Sequence, residues 1–190
     1  MSWYYRYQAK LLMKNNEKSC LASEAALSAS GRINIYFSEF TNQTEVKKVI
    51  RLMKKEEIDD LAVLWLETSL IAHDFVPAAF WKEKLPLVQT EYLPKSITYV
   101  YEKEGKALGF LSFVKENQIG GLFVDSDVQD QGIGHELIEQ AKRLFSFLEL
   151  DVYARNEKAV HFYLRQGFQA VVVFKGEDTG EESIKMRWMQ

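Results

Sequence analysis

Leu122-Phe123-Val124-Asp125-Ser126-Asp127-Val128-Gln129-Asp130-Gln131-Gly132-Ile133-Gly134-His135 is the stretch on which the reading of this chain turns. Apolar strand residues run into a polar loop, and two glycines open a segment of helical periodicity. Glycines at such a junction let the backbone approach a ligand closely. Successive amides then point at one spot, and the helix dipole adds partial positive charge there. That combination suits a phosphate. The loop is not a Walker loop, because no Gly-Lys-Ser/Thr follows, nor the dinucleotide fingerprint, because Leu137 stands where a third glycine is required. Taken alone, Gln129 to Gly134 fits a plain strand-to-helix turn equally well.

Outward from this loop, strands and helices alternate. Upstream, Val46 to Met53 reads as a strand, and Lys54 to Ile71 places Ile58, Leu61, Ala62, Trp65, Leu66 and Ser69 at helical spacing. Pro77 suits the first turn of another helix through Leu85, which Pro86 is expected to break or kink. Ile97 to Glu102, Ala107 to Val114 and Ile119 to Val124 read as strands, with a turn at Glu104-Gly105. Downstream, Gly132 to Leu148 reads as a helix with Leu137, Ile138, Ala141, Leu144 and Phe145 as its stripe. Leu148 to Val152 is a short buried strand, Phe168 to Phe174 and Ser183 to Met189 two more, with a polar turn at Glu177 to Glu182. The expected class is mixed α/β, not a bundle or sandwich.

A second signal is Asn156-Glu157-Lys158-Ala159-Val160-His161-Phe162-Tyr163, followed by Gly167-Phe168. Asn156 suits a helix N-cap, and Gly167 the left-handed position after the helix end. Tyr163 lies seven residues after Asn156, about two turns along one face, so both can address one cleft. A tyrosine there can donate its proton to a leaving group; Phe162 and Tyr163 as plain core aromatics fit the same residues.

Together the two signals resemble the GNAT superfamily of acetyl-CoA-dependent N-acetyltransferases, over about Val49 to Trp188. Gln129 to Gly134 matches the family's Gln/Arg-x-x-Gly-x-Gly/Ala loop, and Asn156, Ala159, Tyr163 and Gly167-Phe168 match its later motif. Small bacterial members, some of which acetylate protein lysines or N-termini, are similar in Trp65-Leu66-Glu67-Thr68-Ser69, His73-Asp74-Phe75, Thr179-Gly180-Glu181 and Met186-Arg187-Trp188. The resemblance implies a largely antiparallel seven-stranded sheet with about four helices and a splayed strand-four/strand-five pair. It implies that backbone groups of Leu122, Phe123 and Val124 pair with the pantetheine arm and the acetyl carbonyl, with Phe123 or Val124 N–H as oxyanion donor. Amides from Gln131 to His135, in the loop Gln129, Asp130, Gln131, Gly132, Ile133, Gly134 and His135, would hold the pyrophosphate. Asn156 would orient the cofactor and Tyr163 protonate the departing thiolate. His73, Asp74 and Phe75 fall where the family builds its acceptor site.

Two departures matter. Many members carry a glutamate base on strand four, where this chain reads Ile119-Gly120-Gly121-Leu122. Asp151 on strand five is the next candidate base, or a surface carboxylate; Glu116 is a weaker one. Many members also carry a basic residue where Asp130 stands. The function implied is acetyl transfer from acetyl-CoA to a primary amine: a protein lysine, an N-terminus or a small amine. A non-catalytic acyl-CoA-binding or protein-interaction module on the same fold is the alternative.

Composition is compatible with this. The 190 residues carry 24 Lys+Arg against 27 Asp+Glu, a balance that argues against nucleic acid as main partner. Residues 1–47 hold six basic and four acidic residues and lack regular periodicity, so an extension, flexible or loosely docked, is expected there, with the catalytic domain over 48–190. The single cysteine, Cys20, rules out an intrachain disulfide and a cysteine-only metal cage. No metal is expected. No apolar run reaches the roughly 18–20 residues of a membrane helix, so a cytoplasmic monomer or homodimer without membrane contact is expected.

Overall fold

The computed structural model describes residues 47–190, so the extension expected over 1–47 lies, but for Lys47, outside the described residues. Seven strands form one sheet: β1 (Lys48–Leu52), β2 (Ile97–Lys103), β3 (Lys106–Lys115), β4 (Gln118–Val124), β5 (Phe147–Tyr153), β6 (Gln169–Lys175) and β7 (Glu182–Met189). Their order is β1-β2-β3-β4-β5-β7-β6. Every neighbouring pair is antiparallel except β4–β5, which is parallel. Four helices of nine residues or more stand among the described residues: α1 (Ile58–Ala72), α2 (Ala78–Leu87), α3 (Ile133–Leu144) and α4 (Glu157–Arg165). The expected mixed sheet and its helices are therefore present.

Helices cover both faces, which explains why β3 is buried through six consecutive residues instead of alternating. On one face Val100 and Phe110 pack with Leu61, Trp65, Trp81 and Leu93. On the other, Leu111, Phe113 and Ile119 pack with Leu137, Ile138, Leu148 and Tyr163.

Two local expectations need correction. The helix expected over Gly132 to Leu148 ends at Leu144. Phe145 is extended (φ −132°, ψ 145°), its ring tilted against Phe113 at 5.0 Å, and Leu148 is fully buried in β5. Both continue the apolar spacing of α3 but belong to the core beyond it. Pro86 does not end its helix either. It sits in the last turn of α2; Val88 N–H reaches back to the Lys84 and Leu85 carbonyls, and a wide turn (Val88–Tyr92) and a single closing turn (Leu93–Lys95) continue the winding. A π-type turn follows the missing proline donor, and helical winding runs on to Lys95.

Candidate active site

The site begins where two strands part. β4 pairs with β5 only at Gln118↔Glu149 and Ile119↔Leu150. Beyond Ile119 the ladder stops, so Leu122, Phe123 and Val124 have no β5 partner. The parting coincides with an irregularity: the β3–β4 register runs Ser112↔Gly121, Phe113↔Ile119 and Lys115↔Gln118, skipping Gly120 and Val114. Bulges re-aim a strand and end pairing, and this one falls where β4 leaves β5.

At Gly120, the place of a strand-four side chain is already filled. A Cβ there would lie 2.7 Å from the Tyr92 hydroxyl and 2.5 Å from Val114 Cγ1. Tyr92 comes from the wide turn after α2, and its hydroxyl oxygen is buried. Burial raises the Tyr92 phenol above its ordinary range, and Ser112 offsets this in part. A neutral phenol therefore occupies the space over Gly120 on β4.

The glycine loop follows β4. Asp125 caps the short turn Ser126–Val128 through its carboxylate, which accepts from Asp127 N–H at 3.1 Å. Gln129 Nε2 donates to the Val124 carbonyl at 3.1 Å and ties the loop to the strand end. Asp130 (φ 61°) and Gly132 (φ 88°) are left-handed, a geometry glycine adopts freely and aspartate tolerates. Gly132 is the N-cap of α3 and accepts from Glu136 N–H at 3.0 Å. The preceding amides have no intrahelical acceptor, and a Cβ on Gly132 would meet nothing within 4 Å among the described residues. Open space before a helix start fits a pyrophosphate. His135 bonds Gln166 Oε1 through Nδ1 at 2.8 Å, linking α3 to the end of α4.

α4 supplies the second group. Asn156 is its N-cap: Oδ1 accepts from Ala159 N–H at 3.1 Å. Gly167 (φ 83°) follows its C-terminus. Tyr163 is 8% exposed, its ring edge-on to Phe168 at 5.6 Å. Burial, with a contribution from Tyr92, pushes its phenol well above the ordinary value. The phenol is therefore neutral throughout the physiological range.

Opposite α4, His73 follows the C-terminus of α1. Its ring stacks on Trp81 at 5.1 Å and meets the edges of Tyr153 at 5.1 Å and Phe75 at 5.8 Å. His73 Nε2 lies 3.3 Å from Asn156 Nδ2. Burial pushes the imidazole down to about 4. Phe75 also carries the Arg155 guanidinium over its ring at 4.6 Å. Asp74 is exposed. Asp151 is on β5 and pairs with Lys185 at 3.0 Å; Glu116 is exposed in the β3–β4 turn. The acidic turn before β7 is neutralised in part, Asp178 by Lys84 at 3.7 Å and Glu181 by Arg155 at 3.3 Å.

This geometry gathers a parted parallel pair, a glycine-capped helix start and a buried phenol. The family model described as the acetyltransferase (GNAT) family matches residues 58–168. The chain belongs to this GNAT family. It is an acetyl-CoA-dependent acyltransferase. Peptidyl-lysine N-acetyltransferase YiaC of Escherichia coli (strain K12) is 32% identical over 140 residues, covering 74% of this chain and 96% of that protein. The solution structure of apo-form YjaB from Escherichia coli superposes with a TM-score of 0.68 at 28% identity, covering 75% of this chain and 97% of YjaB. A GNAT fold is also shared with the PaiA N-acetyltransferase of Thermoplasma acidophilum, solved in complex with coenzyme A (TM-score 0.64, 14% identity, 76% and 99% covered).

Four residues of the site had no signal in the sequence: Tyr92, Lys158, Trp81 and Tyr153. Lys158 Nζ reaches from α4 to Gln129 Oε1 at 3.1 Å and Asp130 Oδ2 at 3.2 Å. It brings to the loop the positive charge that Asp130 lacks. Among the described residues, no group of three or more His, Cys, Asp or Glu is placed to hold a metal ion, and no helix is long and apolar enough to cross a membrane.

Proposed function

We propose that this chain acetylates the ε-amine of lysine in a peptide or protein, with the catalytic domain spanning residues 48–190 and the cytoplasm as its setting. The acceptor class rests on one observation: 32% identity over 96% of the length of a peptidyl-lysine N-acetyltransferase.

The chain's own groups supply each requirement. Backbone groups of Leu122, Phe123 and Val124, free of β5, pair with the pantetheine arm by strand addition. The amides from Gln131 to His135 and the α3 dipole hold the pyrophosphate. The N–H of Phe123 or Val124 holds the oxyanion as the amine attacks the thioester carbonyl. The new C–N bond forms, the C–S bond breaks, Tyr163 gives its phenolic proton to the departing sulfur, and the proton shed by the acylated nitrogen restores the phenol. A lysine amine, with a pKa of about 10.4, must first lose a proton. We assign its removal to Asp151 through water, in competition with Lys185 for the carboxylate. Unchanged turnover in Asp151→Asn would take Asp151 out of this role. His73 and Phe75 line the acceptor side, with Asp74 at its rim. Thioester aminolysis of this kind calls on no metal.

The test is calorimetric titration with acetyl-CoA beside ATP and NAD, then mass spectrometry of lysine peptides with blocked N-termini beside a panel of small amines. Selective acetyl-CoA binding and lysine acetylation are expected. Absence of acetyl-CoA binding by the folded protein would sink the reading. Transfer to small amines alone would replace the acceptor.

A further inference from the structure

Three buried side-chain atoms on the acceptor side of the split have no hydrogen-bond partner among the described residues: Ser69 Oγ, His73 Nδ1 and Trp81 Nε1. His73 N–H donates to the Ser69 carbonyl at 3.0 Å. Ser69 lies one helical turn before His73, and His73 stacks on Trp81 at an interplanar angle of 26°. Buried polar groups without partners cost stability, so a phenylalanine among Trp81, Phe75 and Tyr153 would satisfy this box better than an imidazole. Orphaned groups in a native core call for a reason.

The imidazole makes one directed contact outside its box, to Asn156. Because Asn156 Oδ1 accepts the α4 cap bond from Ala159 N–H, its Nδ2 is the end that faces His73. Nδ2 therefore donates, His73 Nε2 accepts, and the ring proton is on Nδ1. A carboxamide nitrogen has two hydrogens. The cap fixes the oxygen, and the bond to His73 fixes the plane of the group. The second Nδ2–H of Asn156 is then left over as a donor.

We propose that His73 is a positioning residue: it orients Asn156 so that the second Nδ2–H is presented to an amide carbonyl of the pantetheine arm. This rests on the acetyl-CoA reading above. Burial holds the imidazole neutral at physiological pH, so the Nε2 lone pair stays available. The α1–α2 connection and the α4 cap are thereby joined, and the cofactor side of the site depends on a residue of its acceptor side.

Calorimetric affinity for acetyl-CoA and melting temperature would be measured for the wild type, His73→Phe, His73→Gln, Asn156→Ala and the double variant His73→Phe/Asn156→Ala. His73→Phe is expected to weaken binding about five- to tenfold, the scale of one hydrogen bond, while its melting temperature holds or rises. His73→Gln keeps an acceptor and is expected to bind within about twofold of the wild type. With Asn156→Ala in place, His73→Phe is expected to have no further effect. Wild-type affinity in His73→Phe, or losses that add in the double variant, overturns the assignment and leaves the function intact. A His73→Phe protein that loses melting temperature together with affinity marks a packing role and overturns it too. No binding of acetyl-CoA by the wild type overturns the cofactor reading and this assignment with it.

Discussion

On the proposed reading Tyr163 serves the thioester end of the cofactor and Lys158 the phosphate end, and substitution separates them. Tyr163→Phe removes the phenolic proton and keeps the ring that packs on Phe168. Turnover is expected to fall about 10²–10⁴-fold, the range for a positioned acid, with acetyl-CoA affinity unchanged; steady-state kinetics beside calorimetry reads both. Normal turnover would remove Tyr163 as the acid. Lys158 and Asp130 are 67% and 80% exposed, so their ion pair stabilises the fold by about 1 kcal/mol at most. Its consequence is for phosphate. Lys158→Ala should weaken acetyl-CoA and Asp130→Asn should tighten it, each a few-fold, while S-acetylpantetheine, which lacks the pyrophosphate, should bind both variants like the wild type. Equal effects on both ligands would place Lys158 away from the phosphates. Asn156, Gly132, Gly167 and Tyr163 could be read from sequence because a cap, a left-handed residue and a two-turn spacing are local. Lys158 contacts a loop 28 and 29 residues away, and Tyr92 fills the space over Gly120. No local pattern records such approaches.

At the scale of elements, β1 is held by one arginine. Arg51 donates to Glu57 in the turn before α1, to Glu102 on β2 and to the Leu52 carbonyl. Glu57 also accepts from Lys54 N–H at 2.7 Å. The hydrogen bond from Arg51, chiefly, holds the Glu57 carboxyl below its ordinary value. A carboxyl depressed in the folded state stabilises above its unfolded value, about 4.3, and loses that contribution as pH falls through the folded value. Glu57→Gln should therefore lower the melting temperature at pH 7, and the gap should close in strongly acidic solution. A gap independent of pH would trace the loss to packing. The strands of this sheet were legible because apolar runs of five to eight residues are bounded by turn residues. Helix ends were less so. Phe145 and Leu148 keep the spacing of α3 while serving the sheet, and Pro86 looks like a terminator until the π-type turn behind it is seen.

For the whole molecule, the site is a seam that the fold leaves partly unsewn. β1 to β4 and β5, β7 and β6 are joined within the sheet by two residue pairs. The apolar cluster shared by α3, α4 and both parts of the sheet holds them together from one side. Nothing in the local sequence announces the split, because a parted ladder is a property of two strands whose paired residues lie 31 positions apart; only the family resemblance carried it. Strand addition by the pantetheine arm would supply the bonds the ladder lacks. A ligand at 100 times its dissociation constant stabilises by about 2.7 kcal/mol, roughly 8 °C for a domain of this size. Hydrogen exchange gives the sharper reading. Amides of Leu122, Phe123 and Val124, and those of Gln131 to His135, should slow on adding acetyl-CoA, while the β1–β2 ladder, far along the sheet from the split, should change little. Protection confined to the glycine loop would mean that phosphate binds without the arm entering the split. Uniform slowing across all strands would mean global stabilisation alone, and the split would lose its claim to be the binding groove.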